Sequence, residues 1–203
     1  MGYDFKDELH VLLATRDGRV PPETWTFLVF VASKMGRVLH MHKSQSTWFM
    51  RARYECCADV YNHIDKDADC VKYGLFLDDD IKVDYRDTEE FLKMANYTVN
   101  AIEKIEDGGL NGWFAHYKQL DGKSTAFKSD YSQYSMNELG ALPDFAPIPY
   151  SALGFAYIKV PRNYNWHIDA VWTDDFYFEK DMGMGGLHYA KGIKLKHLKN
   201  VEV

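Results

Sequence analysis

The chain has 203 residues, enough for one domain spanning 1–203, and its 24 basic against 30 acidic side chains leave a net charge of −6. Apolar residues at 46% and charged residues at 27% exclude a disordered chain, a collagen-like fibre and a mucin-like stalk. This mild acidity offers no broad positive footprint, so no nucleic-acid partner is expected; a small phosphorylated ligand stays open, because a metal ion can bring the missing positive charge.

Residues 9–14 are an apolar run ending at Thr15-Arg16-Asp17-Gly18, which predicts a buried strand leading into a loop. Pro21-Pro22-Glu23 opens a helix with Trp25, Leu28, Val29 and Ala32 on one face; Met35-Gly36 stops it, and 38–42 follows as a second strand. Phe49–Ile64 predicts a second helix, with Phe49, Ala52, Cys56, Val60 and His63 along one side. Residues 71–77 predict a third strand that runs directly into Asp78-Asp79-Asp80. A long helix over 88–106 follows the line Phe91, Met94, Ala95, Thr98, Ile102 and Ile105, and Gly108-Gly109 ends it. Short apolar strands alternating with helices imply crossovers and a mostly parallel sheet covered on both faces, an α/β/α sandwich. The pattern then changes. Residues 112–118 form a strand, whereas 119–150 is polar, rich in Tyr, Ser and Pro, and without period, which marks a long irregular segment that is either disordered or functional. Residues 154–160 form a strand, 173–181 a short helix and 192–197 the last strand. Either 112–118 or the last strand is expected to run antiparallel in a mixed sheet.

Asp78-Asp79-Asp80 is the sharpest chemical feature, three carboxylates at the carboxyl edge of a parallel sheet, where ligands bind. Alternation puts Asp78 and Asp80 on one side of an extended chain about 6–7 Å apart. Like charges this close are relieved by a divalent cation with hard oxygen ligands; the bland alternative is a solvated strand end. Thr15, Arg16 and Asp17 share that edge. Arg51 and Arg53 begin a helix, where a cation is disfavoured unless it reaches an anion. Asp174-Asp175 follows the cap residue Thr173, a placement that first-turn N–H groups already explain. The neighbouring run 166–172, with Trp166 and Trp172, nevertheless has the make-up of a substrate pocket in which a carboxylate acts as general base. His197 gains a role if its strand reaches Asp80. His40 and His42 lie one strand period apart with no third partner near in sequence and read as structural. Gly183-Met184-Gly185-Gly186 matches neither a P-loop nor a dinucleotide fingerprint. Cys56, Cys57 and Cys70 match no zinc spacing and are expected to be reduced, two of them in or near the core. With no apolar leader at 1–8 and no long apolar stretch, a cytoplasmic protein without a transmembrane segment is expected.

In this order and spacing, the motifs resemble nucleotide-sugar-dependent glycosyltransferases of the GT-A fold, especially the small single-domain enzymes of viruses infecting hot-spring archaea. The resemblance covers most of the chain. It implies a Rossmann-like sheet, a nucleotide diphosphate sugar as donor, Mn2+ or Mg2+, and an acceptor hydroxyl on a glycan, glycoprotein or lipid, in the host cytoplasm. The family's Asp-any-Asp motif falls on Asp78 and Asp80. By resemblance, Asp78, Asp79, Thr15, Arg16, Asp17 and one of Arg51 and Arg53 hold the donor. Asp80, with Asp78 and His197, holds the metal, and Asp175 beside Asp174 deprotonates the acceptor. Two departures stand out: Asp174 replaces the usual Glu, and the chain ends at Val203, soon after His197, where many relatives continue. That leaves 119–150, or a partner subunit such as a second copy, to cover the donor and select the acceptor. Rival readings are a nucleotidyltransferase, which calls for a more glycine-rich loop than Thr15-Arg16-Asp17-Gly18-Arg19, a phosphatase or nuclease with carboxylates around two metals, and a non-catalytic protein.

Overall fold

The computed structural model describes residues 7–15, 19–44, 49–64, 72–117, 124–160 and 186–198. β1 (Glu8–Ala14) is buried along its whole length, as a strand covered on both faces must be. From it the chain passes through α1 (Pro22–Lys34) to β2 (Val38–Ser44), and then through α2 (Phe49–Ile64) to β3 (Tyr73–Asp78). Both β2 and β3 pair parallel with β1, one on each side. A two-residue turn leads into β4 (Ile81–Val83) and on to α3 (Thr88–Gly108). Asp87 caps α3 by accepting from the Glu90 N–H, and Gly109 closes it in the left-handed conformation at φ 60°. Next come β5 (Gly112–Phe114), β6 (Ala126–Phe127), α4 (Met136–Ala141), β7 (Pro147–Ile148), β8 (Tyr150–Ser151), β9 (Phe155–Lys159), β10 (Leu187–Tyr189) and β11 (Leu195–His197).

The result is an α/β architecture of generic Rossmann-like type, a seven-stranded mixed sheet in the order β2-β1-β3-β9-β5-β10-β7 flanked by helices. β1, β2, β3, β5 and β10 run one way, while β9 and β7 run against their neighbours. Of the two candidates for an antiparallel course, the last strand, β11, does run so, but on β4 and outside the central sheet, whose antiparallel members are β9 and β7. β5 keeps the sense of β3 because β9 is inserted between them.

α1 is rotated from its expected pose. It buries Thr24, Phe27, Leu28, Val31 and Ala32, while Trp25 and Val29 are 41% and 43% exposed. Apolar residues surround this helix, so periodicity alone does not choose a face. Two contacts choose it: Phe27 packs edge-on against Phe91 of α3, and the Thr24 hydroxyl donates to Ile81 O and accepts from Val83 N of β4. The described part of 119–150 is also more ordered than its sequence suggests. α4 is opened by a capping box in which Ser135 Oγ accepts from Glu138 N and the Glu138 carboxylate accepts from Ser135 N. β7 joins the sheet edge, where Gly186, at φ 78°, passes so close that a Cβ would lie 1.7 Å from Ile148 O. Among the described residues, no helix is long and apolar enough to cross a membrane.

Candidate functional site

The connections leaving β1 go to β2 on one side and return to β3 on the other, so they diverge between β1 and β3. In such a sheet the divergence opens a crevice at the carboxyl ends of the strands, a preferred ligand position. Thr15 follows β1 and Asp78 ends β3 at this place, and Thr15 Oγ1 donates to Asp79 Oδ2 across 2.7 Å.

Three further elements converge on the same edge. α2 contributes Arg53, whose side chain is 1% exposed; its guanidinium lies 5.6 Å from the Phe76 ring centroid and pairs with Asp78 Oδ1 at 3.3 Å. β9 runs against β3, so its amino end meets the carboxyl end of β3, and Asp78 N donates to Gly154 O at 2.9 Å. A Cβ on Gly154 would fall 2.4 Å from Tyr117 Oη and 2.7 Å from Asp78 Oδ2, so the phenol and the carboxylate close in on a position that glycine leaves open. The third element is β11. Its antiparallel register on β4 sets His197 opposite Ile81, and Leu198 N donates to Asp80 O at 2.8 Å. His197 Nε2 thereby lies 3.2 Å from Asp80 Oδ2, and the Tyr117 ring stacks on the imidazole with centroids 5.7 Å apart. Burial pushes the Asp80 carboxyl above the ordinary carboxylate range; the His197 charge opposes this and the Asp79 charge adds to it.

Thr15, Arg53, Asp78, Asp79, Asp80 and His197 are thus gathered at one edge of the sheet. Arg51 is not: its side chain is 70% exposed and makes an i,i+4 pair with Glu55 at 2.8 Å. Asp78 and Asp80 do not share a side through strand alternation, because the chain turns at Asp79 and Asp80; they are oriented separately, Asp78 by Arg53 and Asp80 by His197. Arg16, Asp17, Trp166, Trp172, Asp174, Asp175, the helix at 173–181 and Cys70 lie outside the described residues. Sequence reasoning missed Tyr117 and Gly154, although their places, just after β5 and just before β9, are the strand ends where an edge site draws its residues. No group of three or more His, Cys, Asp and Glu side chains among the described residues is arranged to hold a metal ion.

A second polar cluster sits on the amino half of β1. Parallel register sets His10 opposite His40, and His10 Nδ1 lies 2.9 Å from His42 Nε2. His42 Nδ1 meets Asp59 Oδ2 of α2 at 2.8 Å, while Glu8 faces His10 Nε2 at 3.4 Å and His40 Nδ1 at 3.7 Å. His40 and His42 therefore have the close partners that sequence proximity did not reveal. Cys56 and Cys57 are buried beside this helix face, and burial pushes the Cys56 thiol up to about 12 and that of Cys57 well above its ordinary value, which makes both poor nucleophiles.

No protein-family model and no curated protein matches the chain.

Proposed function

We propose that the protein is a glycosyltransferase that moves a sugar from a nucleotide diphosphate donor to an acceptor hydroxyl with the help of a divalent cation. The observation that carries this reading is the β4–β11 ladder, which delivers His197 to Asp80 at the carboxyl edge, beside Asp78 and the β1–β3 divergence. The donor atoms suit the ion. A carboxylate oxygen and an imidazole nitrogen 3.2 Å apart match the spacing of about 3 Å between adjacent ligands on an octahedral ion bound at about 2.1 Å. Three successive carboxylates, one of them partly desolvated, are a costly arrangement that a cation relieves.

On this reading Asp80, His197 and Asp78 hold Mn2+ or Mg2+, with the donor's phosphates and water completing the coordination. When bound, the ion offsets the negative charge that builds on the diphosphate leaving group. Arg53 fixes Asp78 from below, so that this carboxylate does not turn away from the crevice. Thr15 and Asp79, tied to each other, form the floor against which the nucleoside rests. By the family resemblance, Arg16 and Asp17 join in holding the donor's base and ribose. Asp175 takes the proton from the attacking acceptor hydroxyl, with Asp174 orienting the acceptor; both roles come from the family resemblance. The acceptor is a glycan, glycoprotein or lipid met in the cytoplasm.

The test is a thermal-unfolding panel of nucleoside diphosphates and nucleotide sugars with Mn2+ and with EDTA, since a ligand bound by the native state alone raises stability. Stabilisation that requires both nucleotide and metal is expected. A flat response across the panel would sink the reading, and turnover of a triphosphate with a sugar phosphate would move it to a nucleotidyltransferase.

A further inference from the structure

We propose that Tyr117 is the positioning residue of this site, the group whose ring face sets the imidazole of His197 beside Asp80. The inference rests on the metal-dependent reading above. A metal-ligating histidine is ordinarily oriented by a hydrogen bond to its second ring nitrogen. In His197 that nitrogen, Nδ1, is buried and has no hydrogen-bond partner among the described residues. Its ring is aligned instead by stacking on Tyr117, at 5.7 Å and an interplanar angle of 25°. The strand that carries His197 is three residues long and, among the described residues, pairs with β4 alone, so backbone pairing by itself gives the imidazole little constraint.

Tyr117 is well placed to supply that constraint. It is 7% exposed, and its backbone is clamped from both sides by the buried Thr125 hydroxyl, which donates to Tyr117 O at 3.1 Å and accepts from Tyr117 N at 3.4 Å. Its far end reaches the other arm: Tyr117 Oη and Asp78 Oδ2 both converge on Gly154, each closer than a side chain there would allow. One phenol therefore touches the histidine arm with its face and approaches the aspartate arm with its hydroxyl. The face does the orienting, because Asp80 holds only Nε2 of that ring and Nδ1 has no hydrogen-bond partner among the described residues.

The experiment is calorimetric titration of Mn2+ into the full chain with saturating UDP, repeated with GDP, CDP and ADP, for the wild type, Tyr117→Phe and Tyr117→Leu. Nucleotide affinity in EDTA and the ring-current shift of the His197 imidazole protons are measured beside it. Tyr117→Phe keeps the aromatic face and is expected to bind Mn2+ within about twofold of wild type. Tyr117→Leu is expected to lose about 10–100-fold in Mn2+ affinity, the loss typical of an orienting partner, with the ring-current shift gone and the metal-free nucleotide affinity unchanged. Tyr117→Met replaces Tyr117→Leu if the latter does not fold. Wild type that binds Mn2+, with a non-aromatic variant binding it equally well, overturns the inference and leaves the functional reading intact. Wild type that binds no Mn2+ with any of the four nucleotides overturns the functional reading itself.

Discussion

On the amino half of β1, two carboxylates, Glu8 and Asp59, meet three imidazoles, those of His10, His40 and His42, in a run of contacts from 2.8 to 3.7 Å. At its carboxyl end, three carboxylates in succession, Asp78, Asp79 and Asp80, meet one guanidinium, one hydroxyl and one imidazole. Both clusters draw on the sheet and on α2. The first matches acid to base within the protein's own side chains and holds two strands and a helix together. The second concentrates negative charge at a crevice, where an arriving cation improves the balance. A polar cluster that compensates itself serves the fold, whereas one left with excess charge of a single sign is fitted to a ligand.

The largest expected effect falls on the reaction proposed for the acidic end. Asp175→Asn should keep donor affinity while turnover falls by about 10²–10⁴, with Asp174→Asn milder, as read by single-turnover transfer. Near-normal turnover in Asp175→Asn would remove it as the base.

Next comes Asp80→Asn. It should abolish the Mn2+-dependent gain in stability with nucleotide, yet make the metal-free protein more stable at neutral pH. The sign follows from the raised Asp80 carboxyl: the native state holds that proton more tightly than the unfolded chain, so wild type loses stability as pH climbs from the ordinary carboxylate value through the raised one. Melting curves in EDTA from pH 4 to pH 7 should show the variant overtaking wild type; parallel curves would contradict this.

His42→Ala inverts the pattern and so sharpens the contrast. Removing the imidazole takes a buried hydrogen-bond partner away from His10 Nδ1, at a cost of about 1–3 kcal/mol in denaturant unfolding, while Asp59 is exposed to solvent. Metal-dependent nucleotide binding should not change; a matching loss there would join the two clusters into one functional unit. The smallest effect is expected from Arg51→Ala, which removes an exposed i,i+4 pair: unfolding free energy should change by less than about 0.5 kcal/mol and nucleotide affinity not at all.

The first half of the fold is legible from local signals. Apolar runs mark β1 and β3, helical spacing marks α2 and α3, and glycines end α1 and α3. What escapes is set by distant partners. β4 and β10, at three residues each, are too short to show a period. Nothing local announces that β9 slots between β3 and β5, since that choice lies in long-range pairing. The capping box from Ser135 to Glu138 opens a helix that the surrounding polar composition hides. At the site, the acids after β3 stand out because charge follows an apolar strand. Choosing Arg53 over Arg51 needs the rotation of α2, and bringing His197 to Asp80 needs the β4–β11 register. Tyr117 carries no charge pattern and becomes significant once its neighbours in space are known.

The pairing of Ile81 with His197 also has a consequence for the order of folding. Contacts between residues so far apart along the chain bear a large loop-closure cost and form late, whereas β1, β2 and β3 are joined by short crossovers and assemble early. The acids of the crevice are then in place before the histidine arrives. If the ladder forms after the rate-limiting step, substitutions within β11 speed unfolding far more than they slow folding, which stopped-flow folding and unfolding rates would read. The same order permits a local opening in which β11 detaches while the central sheet persists, and in that opened form Asp80 keeps its position and loses its imidazole neighbour.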